Sequence, residues 1–129
     1  MPIRVLVVED EPLIQMAITM ALEDAGFRVA TAETAEGAEQ IDKIDPQDFV
    51  LLDVNLGRDR RTGIDAAKTI RARRPSVPIA FLTAHADDHM KRLMSVVDPV
   101  KIMSKPFSDS VVVNLIAETM ATKAKVKVR

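Results

Sequence analysis

Four short apolar runs punctuate the chain, and each ends in polar chemistry. Val5-Leu6-Val7-Val8 leads into Glu9, Asp10 and Glu11, and Phe49-Val50-Leu51-Leu52 ends in Asp53. Ile79-Ala80-Phe81-Leu82 ends in Thr83, while the shorter Val100-Lys101-Ile102-Met103 leads to Ser104, Lys105 and Pro106. Apolar runs without alternation are the pattern of strands covered on both faces. Between them the spacing turns helical. Pro12 suits the first position of a helix that carries Leu13, Ala17, Met20, Ala21 and Asp24, with Gly26 as its stop. A short strand over Phe27 to Ala32 follows. Thr34 then caps a helix with Ala35, Ala38 and Ile41 on one face, broken at Asp45-Pro46. Ile64, Ala67 and Ile70 mark a third helix, ended by Arg73-Arg74-Pro75. Met90, Leu93, Met94 and Val97 mark a fourth, stopped by Asp98-Pro99. Ser108 caps a last one carrying Val111, Val112, Leu115, Ile116 and Thr119.

Strands alternating with helices five times predict an α/β domain on a parallel sheet covered on both faces, with right-handed crossovers. In open sheets of this kind ligands bind at the carboxyl ends of the strands. The four polar endings therefore converge on one rim. At 129 residues the chain is long enough for one domain with a sizeable core. Composition narrows the function. No apolar run approaches the length of a membrane span and no signal-peptide pattern opens the chain, so a cytoplasmic protein is expected. Cysteine is absent, which excludes disulfides, thiolate nucleophiles and thiolate metal sites. A net charge of −1 lacks the basic footprint of nucleic-acid binding, and with no Trp or Tyr there is little for bases to stack on.

The rim chemistry is a constellation. Glu9, Asp10 and Asp53 brought together repel one another unless a cation or proton intervenes, and Mg²⁺ prefers oxygen donors of this kind. Taken alone, Glu9 and Asp10 would merely open a helix, where acidic residues complement the dipole. A carboxylate is also a nucleophile toward phosphorus. A transferred phosphoryl group needs its oxygens neutralised: Lys105 offers an ammonium, Thr83 a hydroxyl, and Ala84 a backbone N–H with little side chain in the way.

These segments, Val7-Val8-Glu9-Asp10-Glu11-Pro12, Leu51-Leu52-Asp53-Val54-Asn55-Leu56, Phe81-Leu82-Thr83-Ala84 and Ser104-Lys105-Pro106-Phe107, resemble the receiver domain of bacterial two-component response regulators. The resemblance runs from residue 3 to about 120. It implies a flavodoxin-like, doubly wound (βα)5 fold with strand order 2-1-3-4-5. Asp53 would be the phosphoacceptor, charged by a sensor histidine kinase or a phosphotransfer protein. Asp10 and Asp53 would bind Mg²⁺ directly, Glu9 through water, and Asn55 through its backbone carbonyl. Lys105 would bond Asp53 and then the phosphoryl group, Thr83 would move toward the phosphate, and the Lys105-Pro106 peptide would be cis. The output would be a changed protein–protein contact, with a downstream partner or a second copy, through helix four, strand five and helix five. Such a switch catalyses only its own phosphorylation and dephosphorylation and is not an enzyme acting on an external substrate.

The chain departs from the commonest receiver in three places. Ile102 stands where an aromatic usually swings inward. The loop after Asp53 is longer than usual and carries Arg58, Arg60 and Arg61, as in a subset of atypical and stress-response receivers; it reads either as a solvated basic loop or as one in which an arginine meets the kinase or the phosphoryl group. His85 lies two residues past Thr83, near the expected path of water; His89 has less claim. The alternatives are a Mg²⁺-dependent aspartyl phosphatase, which would want a second aspartate where Asn55 stands, a flavodoxin-like cofactor binder, whose phosphate Glu9-Asp10-Glu11 would repel, and a pseudo-receiver scaffold. The receiver unit is expected over residues 1–122 as a stand-alone switch. Residues 123–129, alternating Lys or Arg with Ala or Val, form a basic tail that reads as a frayed end, as an extended segment adding to a sheet edge or docking on an acidic partner, or as the start of a linker.

Overall fold

The computed structural model describes residues 2–57, 59–84 and 86–128, with side chains as far as Ala124. Five strands, β1 (Arg4–Val8), β2 (Arg28–Ala32), β3 (Phe49–Asp53), β4 (Ile79–Thr83) and β5 (Lys101–Ser104), form one parallel sheet in the order β2-β1-β3-β4-β5. Between and after them run α1 (Pro12–Asp24), α2 (Ala35–Ile44), α3 (Gly63–Arg73), α4 (Asp88–Ser95) and α5 (Asp109–Val128). The expected fold class and strand order are those observed. Every residue of the central strands β3 and β4 is buried, as their unbroken apolar runs require.

The pleat divides the core into two layers. Leu6, Val8, Val50, Leu52, Ile79 and Phe81 face one cluster, completed by Ala35 and Ala38 of α2, Ile64, Ala67 and Ile70 of α3, and Met94. The intervening Val5, Val7, Phe49, Leu51, Ala80 and Leu82 face the other, completed by Ile18 and Leu22 of α1 and Val112 and Ile116 of α5. A period of two along the strands thus feeds two helical layers.

Local signals place the helices much as the sequence predicts. Pro12 opens α1, and the Thr34 hydroxyl accepts from the Gly37 amide at 3.0 Å. Thr62 and Asp65 cap α3 reciprocally, and the Ser108 hydroxyl accepts from Val111 at the start of α5. The expected face of α1 is corrected. Ile18 and Leu22 are buried and Ile14 partly so, whereas Leu13 is 80% exposed and Met16 and Met20 more than half. The helix is apolar on most sides, so periodicity alone does not select the buried face. Helix α5 continues through the 122/123 position to Val128 in place of an extended segment, which suits the helix formers Ala121, Lys123 and Ala124.

Arg71 staples the end of the sheet opposite the rim. Its guanidinium donates to the carbonyls of Val97 (2.8 Å), Val77 (2.6 Å) and Pro75 (3.0 Å), with longer bonds to Arg74 and Asp98. Burial pulls its pKa below the usual arginine value. Asp98, at φ +52°, turns the chain toward β5. No helix among the described residues is long and apolar enough to cross a membrane.

Candidate phosphoacceptor and cation site

The carboxyl ends of β1 and β3 meet where the strand order reverses, the crevice in which doubly wound sheets bind ligands. Backbone bonds continue past the strands and set the side chains. The Glu9 amide donates to Ala32 at 3.0 Å, and the Lys105 amide donates to Thr83 at 2.8 Å. The Lys105-Pro106 peptide is cis.

At this rim Lys105 Nζ donates to Asp53 Oδ2 at 2.7 Å and stands 3.5 Å from Glu9 Oε2. Asp53 Oδ1 accepts from the Asn55 amide at 3.1 Å, and Glu9 Oε1 from the Glu11 amide at 3.2 Å. Asp53 and Glu9 are buried. Burial, followed by a hydrogen bond with Asp53 and the charge of Asp53, raises the Glu9 carboxyl from 4.5 to about 7, against the pull of the Glu11 amide and Lys105. Burial works to lower the Lys105 pKa, but the hydrogen bond to Asp53 and the charges of Asp53 and Glu9 outweigh it and raise it.

Carboxylate oxygens of Glu9, Asp10 and Asp53 all lie within 4.8 Å of one another. An all-oxygen donor set crowded enough to hold a proton on Glu9 to about pH 7 fits a hard divalent cation, whose charge would replace that proton. Above it opens a cleft of about 350 Å³ bounded by Asp10, Asp53, Asn55, Thr83, Ala84 and Lys105. Every residue predicted for the site therefore borders this cleft, except Glu9, which is fully buried among the same carboxylates.

Further residues at the cleft, Ile14, Gly57 and Met90 among them, escape sequence reasoning. Met90 reads as one more apolar position of a helix. Gly57 reads as a loop glycine, yet it has φ +65°, and a Cβ there would sit 2.1 Å from Asp10 Oδ2. Among the described residues, the arginines of the basic loop do not share one environment. Arg61 makes a two-pronged ion pair with Glu39 of α2, while Arg60 is exposed. Arg58 and His85 lie outside the described residues, as do the side chains of Lys125, Lys127 and Arg129; His89 is exposed. Ile102 is half-buried against the cluster containing Phe81 and Met94.

A doubly wound α/β domain with a lysine-bridged carboxylate cluster at its switch point is the class defined by this fold and rim. Residues 5–117 match the model of the response regulator receiver domain. The transcriptional regulatory protein PdtaR of Mycobacterium tuberculosis is 34% identical over 111 residues, which are 84% of this chain and 52% of that protein. The cell cycle transcriptional regulator CtrA of Caulobacter vibrioides is 32% identical over 104 residues, 81% of this chain and 44% of that protein. The chain thus spans about half the length of these curated relatives. Among solved structures, the chemotaxis protein CheY4 of Vibrio cholerae superposes with a TM-score of 0.85 at 25% identity, covering 92% of this chain and 98% of that one. A CheY-like receiver domain protein from Methanospirillum hungatei gives 0.91 at 20% identity, covering 97% and 98%. The chain belongs to the response regulator receiver family, whose members are signalling domains of two-component systems.

Proposed function

We propose that this receiver is a phosphorylation-dependent switch in which Asp53 accepts a phosphoryl group from a phosphohistidine of a sensor kinase or phosphotransfer protein. The observation that carries the reading is the 2.7 Å contact between Lys105 Nζ and Asp53 Oδ2 inside a cluster of three carboxylates. An Asp53 carboxylate oxygen bonds to phosphorus as the phosphorus–nitrogen bond of the donor breaks, and the departing imidazole nitrogen keeps the electron pair. Lys105, already poised on Asp53, follows the charge onto a phosphoryl oxygen. Thr83 and the Ala84 amide donate to the others. Asp10, Asp53 and the Asn55 carbonyl would hold Mg²⁺, with Glu9 behind them through water. When bound, that cation supplies the positive charge that lets a phosphodianion approach three carboxylates.

Two surfaces suit the partners. Leu13, Met16 and Met20 are exposed on α1, and beside them a groove of about 490 Å³ runs from Leu13 and Ala17 to Lys105 and Phe107, so a donor seated on α1 reaches the site. Val96 and Val100 beyond α4 and Val111 on α5 are exposed as well, and they favour output through the α4, β5 and α5 face. A location in the cytoplasm, where kinase and phosphodonor meet the domain, belongs to the same reading.

The test is intact mass after incubation with Mg²⁺ and acetyl phosphate. One added phosphoryl group is expected, absent without Mg²⁺ and absent in Asp53→Asn. Addition that persists in Asp53→Asn would overturn the assignment of the phosphoacceptor. A wild-type protein that neither takes the group nor binds Mg²⁺ would support a scaffold that keeps the fold without the chemistry.

A further inference from the structure

The loop between β3 and α3 is gripped at two points by α2. Asp59 Oδ2 accepts from the Ala35 amide, the first of α2, at 2.8 Å, while its Oδ1 accepts from the Arg61 amide at 3.1 Å. These amides, the Ala35 one foremost, hold the Asp59 carboxyl below the usual range. Two residues on, Arg61 clasps Glu39 with both ends of its guanidinium, one bond measuring 2.6 Å, and that hydrogen bond raises the arginine pKa. At its other end the loop is pinned by buried Leu56, by the Gly57 amide donating to Asn55 Oδ1 at 3.0 Å, and by the close approach of Gly57 to Asp10 Oδ2. Neither Asp59 nor Arg61 borders the cleft, yet both fix a segment that does.

We infer that Asp59 and Arg61, clasped to Ala35 and Glu39 of α2, are positioning residues that hold the Asn55–Gly57 segment against Asp10 and so set the site's affinity for a divalent cation. The inference rests on the proposed cation-dependent function. Four physical links run in series: α2 holds Asp59 and Arg61, these hold the loop, Gly57 in the loop limits the space of the Asp10 carboxylate, and Asn55 presents its carbonyl beside it. Loosening the first link widens the positions open to Asp10 and Asn55 without touching either. It also makes α2 part of the site although α2 contributes no group to the cleft.

The test is a Mg²⁺ titration of the isotope-labelled protein followed through its amide chemical shifts. It compares wild type with Asp59→Ala, Arg61→Glu, Glu39→Arg and the Arg61→Glu/Glu39→Arg double variant. Asp59→Ala and Arg61→Glu are each expected to raise the half-saturating Mg²⁺ concentration roughly threefold to tenfold. The exchanged pair should return it to within about twofold of wild type. Thermal unfolding of the metal-free proteins, run in parallel, identifies any variant that is not folded, and affinities are compared only among variants that are folded at the temperature of the titration. Single variants that bind Mg²⁺ like the wild type, or a weakened affinity that the exchanged pair leaves unrestored, would overturn the clasp while leaving the proposed function standing. A wild-type protein that binds no Mg²⁺ would overturn both.

Discussion

Replacing Gly57 by alanine separates the cost of a backbone from the cost of a site, because Gly26 supplies the control. Both glycines have positive φ, +65° at Gly57 and +96° at Gly26. Forcing a side chain into that half of conformational space costs roughly 1–2 kcal/mol. Unfolding entropy of about 2.1 cal/mol/K per residue, taken over 129 residues, converts that cost into a fall of about 4–7 °C in melting temperature. Here the two sites part. A Cβ at Gly26 meets nothing within 4 Å, whereas one at Gly57 would lie 2.1 Å from Asp10 Oδ2, where ordinary contact begins at 3.4 Å. Either the loop or the Asp10 carboxylate must therefore give by 3.4 − 2.1 = 1.3 Å. In EDTA the two variants should melt within a few degrees of each other. In a Mg²⁺ titration Gly26→Ala should match the wild type, and Gly57→Ala should need about tenfold more cation for half-saturation. Equal Mg²⁺ affinity in the two variants would refute the reasoning, since it would mean that the loop does not set the position of Asp10.

Two further outcomes follow from groups described above. In metal-free protein Glu9 keeps its proton to about pH 7, while the unfolded chain loses it near 4.5. The folded state then binds the extra proton between these values, and stability falls as pH rises through that window, levelling above it. Glu9→Gln removes this dependence, so across the window it should gain up to about 3 kcal/mol on the wild type in urea unfolding with EDTA, and curves that stay parallel would refute the account. Arg71→Ala strips donors from the Val77, Pro75 and Val97 carbonyls at one corner and should cost about 2–4 kcal/mol. Arg71→Lys, with a point charge in place of a planar fork, should recover less than half of it, and urea unfolding that shows either variant close to wild type would remove the staple from the account of stability.

Much of this molecule is legible because its strands are short, unmixed and punctuated. Phe49 to Leu52 can hardly be anything but a doubly covered strand, and once its neighbours are read alike, topology brings Asp53, Glu9, Asp10, Thr83 and Lys105 to one rim without further information. The helical faces were readable where polar residues mark the outside. Ile64, Ala67 and Ile70 of α3 are all buried as the spacing predicts. On α1 the spacing misleads, because Leu13 and Met20 satisfy a helical period as well as Ile14, Ile18 and Leu22 do, and only packing on the sheet decides between them. The partners of Arg61 and Arg71 were illegible for another reason. Glu39 lies on a different element, and the acceptors of Arg71 are backbone carbonyls, which have no identity in a sequence. Gly57 reads locally as a loop glycine, while its closeness to Asp10 depends on a loop conformation that no local pattern encodes.

The pleat of the sheet gives the rim two sides. Counting alternate residues, Asp53 continues the row of Phe49 and Leu51, which faces α1 and α5. Thr83 continues the row of Ile79 and Phe81, which faces the layer containing Met94, with Ile102 packed against it. An event written on Asp53, as proposed above, would therefore be entered in one layer and would have to be read, if α4 is to respond, in the other. The sheet is a wall between them, and at its top edge Thr83 brings a hydroxyl to the cleft from the strand row of the far side. With an aliphatic Ile102 in that far layer, what crosses the wall would be displaced volume, passed from hydroxyl to methyl groups, and not the turning of a ring.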